Sequence, residues 1–147
     1  MSNINTALEL IAKEKKHKTG KLSLAHCGLK VLRKEIPSLF ELDWLEELTL
    51  AYNKIEKLDQ LPASLKTLFI GGNKISKLQN LPPSLEQLHI WHNKIKVIEN
   101  LPLSLKELFI GANQICRLQN LPNNLRTLRI SGNKIEQLEN LPSNLSF

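Results

Sequence analysis

His89 and His92 come nearest to a metal or catalytic arrangement: two imidazoles three residues apart in the segment HIWHN. A zinc site takes at least three protein ligands, and no carboxylate or thiol joins the two histidines on the surface that the register below gives them. Nucleophilic catalysis needs a serine, cysteine or lysine within reach of a base, and the sequence pairs none with one. The chain has no phosphate-cradling G-x-x-x-x-G-K-S/T loop. These patterns predict no enzyme, no metal and no cofactor. What remains is recognition chemistry. Phe69, His89 and Phe109 recur at intervals of 20, as do Lys54, Lys74 and Lys94, with Lys134 two intervals further on. Rings and cations repeated at one spacing describe a surface.

The elements that would position them are repeats. LPASLKTLFIGGNKISKLQN at 61–80 recurs at 81–100, 101–120 and 121–140, and LPSNLSF at 141–147 begins another copy. An exact period of this length predicts a solenoid. Within each copy L-x-I alternates with period two, which predicts a short strand with one face inward. Asn53, Asn73, Asn93, Asn113 and Asn133 fall where the chain leaves that strand. Buried backbone groups must be paired, and an amide side chain offers both donors and an acceptor, so these five form a structural ladder, with Cys27 in the same position of the first repeat. The remaining leucines and isoleucines build a core that no single repeat could bury. The Leu-Pro pair favours extended chain, which predicts little helix on the outer side.

This pattern resembles the leucine-rich repeat family over about residues 19–145, in the short 20-residue form typical of bacteria. The resemblance implies an α/β solenoid, a curved parallel β-sheet with a concave strand face, an N-terminal capping helix and a mostly irregular convex side. It also makes a small buried residue at Cys27 an accepted variant. Residues 7–32 and the following E-I-P-x-L step resemble the start of the repeat domain in bacterial Roco-type GTPases, although the GTPase motif itself is absent.

At 147 residues, 41% of them hydrophobic, one domain is expected. It divides into a capping helix (1–20), a longer first repeat (21–44), regular repeats (45–140) and the start of an incomplete one (141–147). In the helix, Ile4, Leu8, Ile11 and Ala12 are expected to share the inner face, with Glu9, Lys13, Glu14 and Lys16 outside it. Thr6 and Glu9 have capping-box spacing, Asn3 and Asn5 are alternative starts, and Gly20 is the expected stop. The stretch from Cys27 to Asn53 is six residues longer than the later period. It places Ile36, Leu39, Leu42 and Leu45 at steps of three, which predicts a helical or 3₁₀ outer segment with Trp44 packed near it. No apolar run is long enough to span a membrane and no secretory leader is recognisable. Two cysteines at dissimilar sites make no disulfide framework. A cytoplasmic protein is expected.

The resemblance puts the variable strand positions on the concave face. Tyr52, Phe69, His89, Trp91, His92, Phe109 and Arg129 are then the candidate protein-binding residues, with glycines on both sides of Trp91 expected to leave its ring faces open. Lys54, Lys74, Lys94 and Lys134 form a charged edge beside the ladder, suited to an acidic protein or, as a second reading, to nucleic acid or an anionic surface. Nucleic acid is the less favoured partner, because Glu47 and Glu107 lie on the concave face and the lysines sit on a rim. The leading expectation is a scaffold that binds another protein. The alternative is the recognition part of a larger enzyme, Roco-like or effector-like. With nothing comparable to the helix at the C-terminal end, the favoured expectation is a chain that natively continues into more repeats or a further domain, with weak self-association of this form through that edge; a tail folding back with Phe147 as a plug is the other outcome.

Overall fold

The computed structural model describes residues 3–147. Helix α1 (Ile4–His17) leads into strand β1 (Lys21–Ser23), a one-turn helix α2 (Leu32–Glu35) and a 3₁₀ segment (Pro37–Glu41). Strands β2 (Glu47–Thr49), β3 (Thr67–Phe69), β4 (Gln87–His89) and β5 (Glu107–Phe109) follow, then β6 (Arg117–Leu118), β7 (Thr127–Arg129) and β8 (Gln137–Leu138). β1-β2-β3-β4-β5-β7 form one parallel sheet in chain order, and β6 and β8 pair on the outer side. The sheet register follows the repeat: Leu48, Leu68, Leu88, Leu108 and Leu128 sit side by side. Each central leucine is fully buried while its two neighbours face out. This is the predicted curved solenoid. From β2 onward the convex side is turns and extended chain without helix, as the Leu-Pro pairs require.

The asparagine ladder is built as expected. Asn93 accepts from the Ile75 N–H (2.9 Å) and donates through Nδ2 to the carbonyls of Ile70, Ile90 and Trp91 (3.1, 3.2 and 3.2 Å). Asn53, Asn73 and Asn113 make the same set in their own repeats, and Asn133 makes three of the four bonds. Each amide thus ties its own turn to the one before. Cys27 has no preceding turn to tie. Helix α1 lies there instead, its Asn3 N–H bonded to the Cys27 carbonyl at 2.9 Å, and burial pushes the Cys27 thiol's pKa up.

The capping helix differs from its sequence reading by one residue's rotation. Ala7, Ile11 and Glu14 are buried and Ile4 half-buried, whereas Leu8 is 38% exposed and Ala12 is exposed. The inward stripe is therefore 4-7-11-14, and it includes a carboxylate. Glu14 is admitted because it accepts from the Thr19 hydroxyl, the Gly20 N–H (2.8 Å) and the Trp44 indole N–H (3.1 Å). It thereby pins the loop after α1 and the end of the longer first repeat to the helix. Asn3 is the N-cap, its Oδ1 accepting from the Thr6 hydroxyl at 2.7 Å. Lys18, not Gly20, takes the left-handed position that ends the helix, at φ 47°. At the other end Ser146 bridges to Thr127, starting the next strand. Phe147 is 69% exposed and plugs nothing.

Two outcomes follow from this bonding. Asn93→Ala leaves the Ile75 N–H without a partner and takes one of two asparagine donors from each of the Ile70 and Ile90 carbonyls, and should lower unfolding stability by about 1–3 kcal/mol. A melting temperature equal to wild type would remove the ladder argument. For Glu14, burial works against the charge, but the bonds from Thr19, Gly20 and Trp44 outweigh it and hold its pKa below the ordinary carboxylate range. A lowered folded-state pKa contributes stability that is present above the unfolded value and is lost as pH falls through the folded one. Glu14→Gln should therefore destabilise the protein near neutrality and flatten the acid limb of its stability–pH curve. Urea denaturation at neutral and acid pH measures both.

Candidate protein-binding face

On strands of three residues the first and last side chains project from the concave face. The last positions of β3, β4, β5 and β7 bring Phe69, His89, Phe109 and Arg129 into one row. Phe69 meets His89 edge-on with centroids 4.7 Å apart, and His89 stacks on Phe109 at 4.2 Å and 24°. The Arg129 guanidinium lies 5.1 Å from the Phe109 centroid. Glu107, at the first position of β5, takes a 2.7 Å bond to His89 Nε2. The row anticipated from sequence is thus contiguous, and the expectation that no carboxylate joins the histidines is corrected, because Glu107 projects from the same face and bonds His89.

A second row runs beside the first, where the chain turns out of the strands. His26 stacks on Tyr52 at 4.6 Å and 10°, Tyr52 meets Trp91 at 5.4 Å, and Trp91 meets His92 at 5.6 Å. Tyr52 and Trp91 come from repeats two apart, and glycine lets them touch. A Cβ at Gly71 would stand 2.4 Å from the Trp91 indole, and one at Gly72 would stand 2.9 Å from the Tyr52 ring. The expectation of open ring faces on Trp91 is therefore corrected: the indole lies down over the bare backbone of Gly71, which is buried beneath it. Gly111, on the other side, stays half-exposed. His26, Tyr52, His92 and Ala112 all occupy the left-handed region, at φ 58°, 57°, 49° and 51°, with Gly72 and Gly132 in the same place of their repeats. That turn takes His92 out of the row holding His89. Among the described residues no group of three or more histidine, cysteine or acidic side chains is placed to hold a metal ion.

The lysine edge is present. Lys54, Lys74, Lys94 and Lys134 are exposed, and each backbone N–H is fixed to a carbonyl of the preceding repeat, 2.8–2.9 Å away. Among the described residues none of the four joins an ion pair. Sequence reasoning missed a second asparagine column. Asn80, Asn100, Asn120 and Asn140 are all left-handed, and Asn80 and Asn100 donate to the carbonyls of Leu58 and Leu78. Its signal was visible, since an asparagine precedes Leu-Pro in each of these copies. The column shapes the convex turn and leaves the concave face alone.

The geometry defines a parallel β-solenoid whose concave sheet carries half-exposed aromatic rings beside the exposed Tyr52 and His92. Its repeats are leucine-rich repeats of 20 residues, and the family model described as Leucine Rich Repeat matches residues 124–147. The chain is 32% identical to a Shigella effector leucine-rich-repeat domain with a TM-score of 0.78, covering 94% of this chain and 59% of that one. YopM, a leucine-rich effector protein from Yersinia pestis, shares the fold at 23% identity and a TM-score of 0.72, over 98% of this chain and 46% of that one. An internalin from Listeria monocytogenes shares it at 20% identity and a TM-score of 0.54, over 80% and 46%. The chain spans about half the length of these structures. No curated protein matches the sequence. These neighbours are bacterial effectors and an internalin rather than Roco-type proteins, so the narrower resemblance of the N-terminal part is not upheld. Among the described residues no helix is long and apolar enough to cross a membrane.

The glycine seat under Trp91 can be tested directly. Trp91→Ala removes a side chain from outside the core and should cost on the order of 1 kcal/mol or less. Gly71→Ala should lift the indole from its seat and shift its fluorescence toward that of a solvated ring, with little change in melting temperature. An emission spectrum identical to wild type would show that the seat is wrong.

Proposed function

We propose that this chain is a protein-recognition module that binds its partner through the concave face, working as the recognition part of a bacterial effector-type protein. The observation that carries the reading is the pair of aromatic rows on a rigid sheet whose core is complete without them. Leu48, Leu68, Leu88, Leu108 and Leu128 fill the inner side of the strands, and the rings at 52, 69, 91 and 109 stand outside that column. Aromatic and arginine side chains fixed on a preformed surface are the usual carriers of binding energy. The 32% likeness to the Shigella effector domain supports the same reading. Any catalytic activity would belong to another part of a longer protein. A reducing compartment such as the cytoplasm fits the free Cys27 and Cys116, which sit at unlike sites, one buried and one exposed.

Binders selected from a displayed protein library would test the face. Binding should fall about tenfold or more on Phe109→Ala or Trp91→Ala, the loss expected of hot-spot residues. It should not respond to Val97→Ala on the convex side. Selected binders that consistently respond to the convex change alone would overturn the reading. Rim charge acts mainly on association, so reversing Lys54, Lys74 and Lys94 should slow the on-rate for an acidic binder and flatten its salt dependence.

A further inference from the structure

The acidic side chains on and beside the concave face are already engaged. Glu47 pairs with Lys21 at 3.2 Å and Glu107 with His89 at 2.7 Å. In the column next to them, Glu46 and Glu86 pair with Lys66 and Lys106 at 3.0 and 2.8 Å. The bases of the opposite rim and Arg129 of the strand row are not in ion pairs: among the described residues Lys54, Lys74, Lys94, Lys134 and Arg129 form none. With a net charge of +6 on the whole chain, a face whose carboxylates are all bonded, three of them to lysines, and whose rim cations are in no ion pair attracts anions.

Nucleic acid and acidic polypeptide both present anions in series, and the ring geometry separates them. Single-stranded nucleic acid is held by bases stacking on open aromatic faces. Here a neighbour already takes a face of several of these rings. Tyr52 stacks on His26 and rests on Gly72, and Trp91 lies on Gly71. His89 has Phe109 stacked on it and the edge of Phe69 beside it, and Phe109 carries Arg129 as well. What the rows offer is a corrugated apolar strip of ring edges, which suits aliphatic and aromatic side chains rather than intercalating bases.

Resting on the reading that the concave face is the binding face, we infer that its partner is an acidic protein segment interspersed with apolar residues. The carboxylates of that segment lie against the lysine rim and Arg129, and its apolar side chains lie on the strip from Phe69 to Phe109 and on Tyr52 and Trp91.

The test uses the full chain and four probes: poly(Glu,Tyr), poly-Glu, poly(Lys,Tyr) and oligouridylate, each measured at low and raised salt. Poly(Glu,Tyr) should bind best, poly-Glu more weakly, and the other two negligibly. Lys74→Glu with Lys94→Glu, and separately Phe109→Ala, should each weaken poly(Glu,Tyr) about tenfold or more. Circular dichroism checks each fold, and Lys74→Gln with Lys94→Gln substitutes if the reversed pair does not fold. Absence of poly(Glu,Tyr) binding, or equal binding of poly(Lys,Tyr), would overturn the acidic partner while leaving the concave reading intact. Oligouridylate bound as tightly as poly(Glu,Tyr) would assign the face to nucleic acid instead. Poly(Glu,Tyr) binding that responds to charge reversal but not to Phe109→Ala or Trp91→Ala would overturn the concave reading itself.

Discussion

Each turn of the solenoid directs backbone groups inward where neither water nor a strand partner reaches them, and one amide side chain per repeat meets that demand. The carbonyls of Leu50, Ile70, Ile90 and Ile110 each accept from two asparagines, the one in their own turn and the one in the next. A carbonyl has two lone pairs, so this sharing uses the acceptor fully and links consecutive turns through one atom. It also fixes the period. An insertion inside a regular repeat would separate an asparagine from the carbonyl of the preceding turn and leave both short of partners. The first repeat can be longer because its extra residues enter after the strand and turn, as the α2 and 3₁₀ segments, which bury Leu32 and Leu39 from outside the ladder.

Where the ladder has no predecessor, a different chemistry closes the stack. An asparagine at position 27 would find carbonyls in its own turn but, facing helix α1, no preceding turn to supply the N–H and carbonyl that the later asparagines use. A thiol makes weaker demands, bonding only to the Ala25 carbonyl at 3.6 Å. The tying function moves to Glu14, whose carboxylate gathers three donors from outside the helix. Lys18 covers the Trp44 ring at 4.6 Å and adds a cation to the same corner. An ionised group in a nearly buried place is tolerable when its lone pairs are used, and here they are.

The strands, the ladder and the inward leucines were legible in the sequence because each is a statement about period. Side-chain alternation in L-x-I fixes which residues face the core, and five asparagines in phase fix the turn. The helix face was misread because Leu8 and Ala12 are apolar and Glu14 is not, while burial was decided by what Thr19 and Gly20 in the following loop and Trp44 further along could donate. Trp91 was misread for a related reason. Its column and row were correct, but the direction in which a large ring falls depends on which neighbouring backbone is bare and what waits beyond it. Gly71 and Gly111 flank it alike in sequence, and only Tyr52 on the Gly71 side breaks the symmetry. Stacking between His26 and Tyr52, 26 residues apart, depends on the length of the irregular first repeat and was not available from the 20-residue period.

The arrangement of the rings bears on how well such a face can bind. A flexible aromatic side chain loses rotamer freedom when a partner immobilises it, a cost on the order of 0.5–1.5 kcal/mol for each such side chain. On this face much of that freedom is already gone. Trp91 is held between Gly71 and Tyr52, His89 between Phe69, Phe109 and Glu107, and Phe109 between His89 and Arg129. The ordering was done during folding, by contacts that the core does not need, on a sheet whose register is set elsewhere. That separation lets the outward residues change from repeat to repeat, as Ser23, Thr49, Phe69, His89, Phe109 and Arg129 do at one position, while the amides and leucines beneath them stay the same. Stability and recognition are thus assigned to different residues of one repeat.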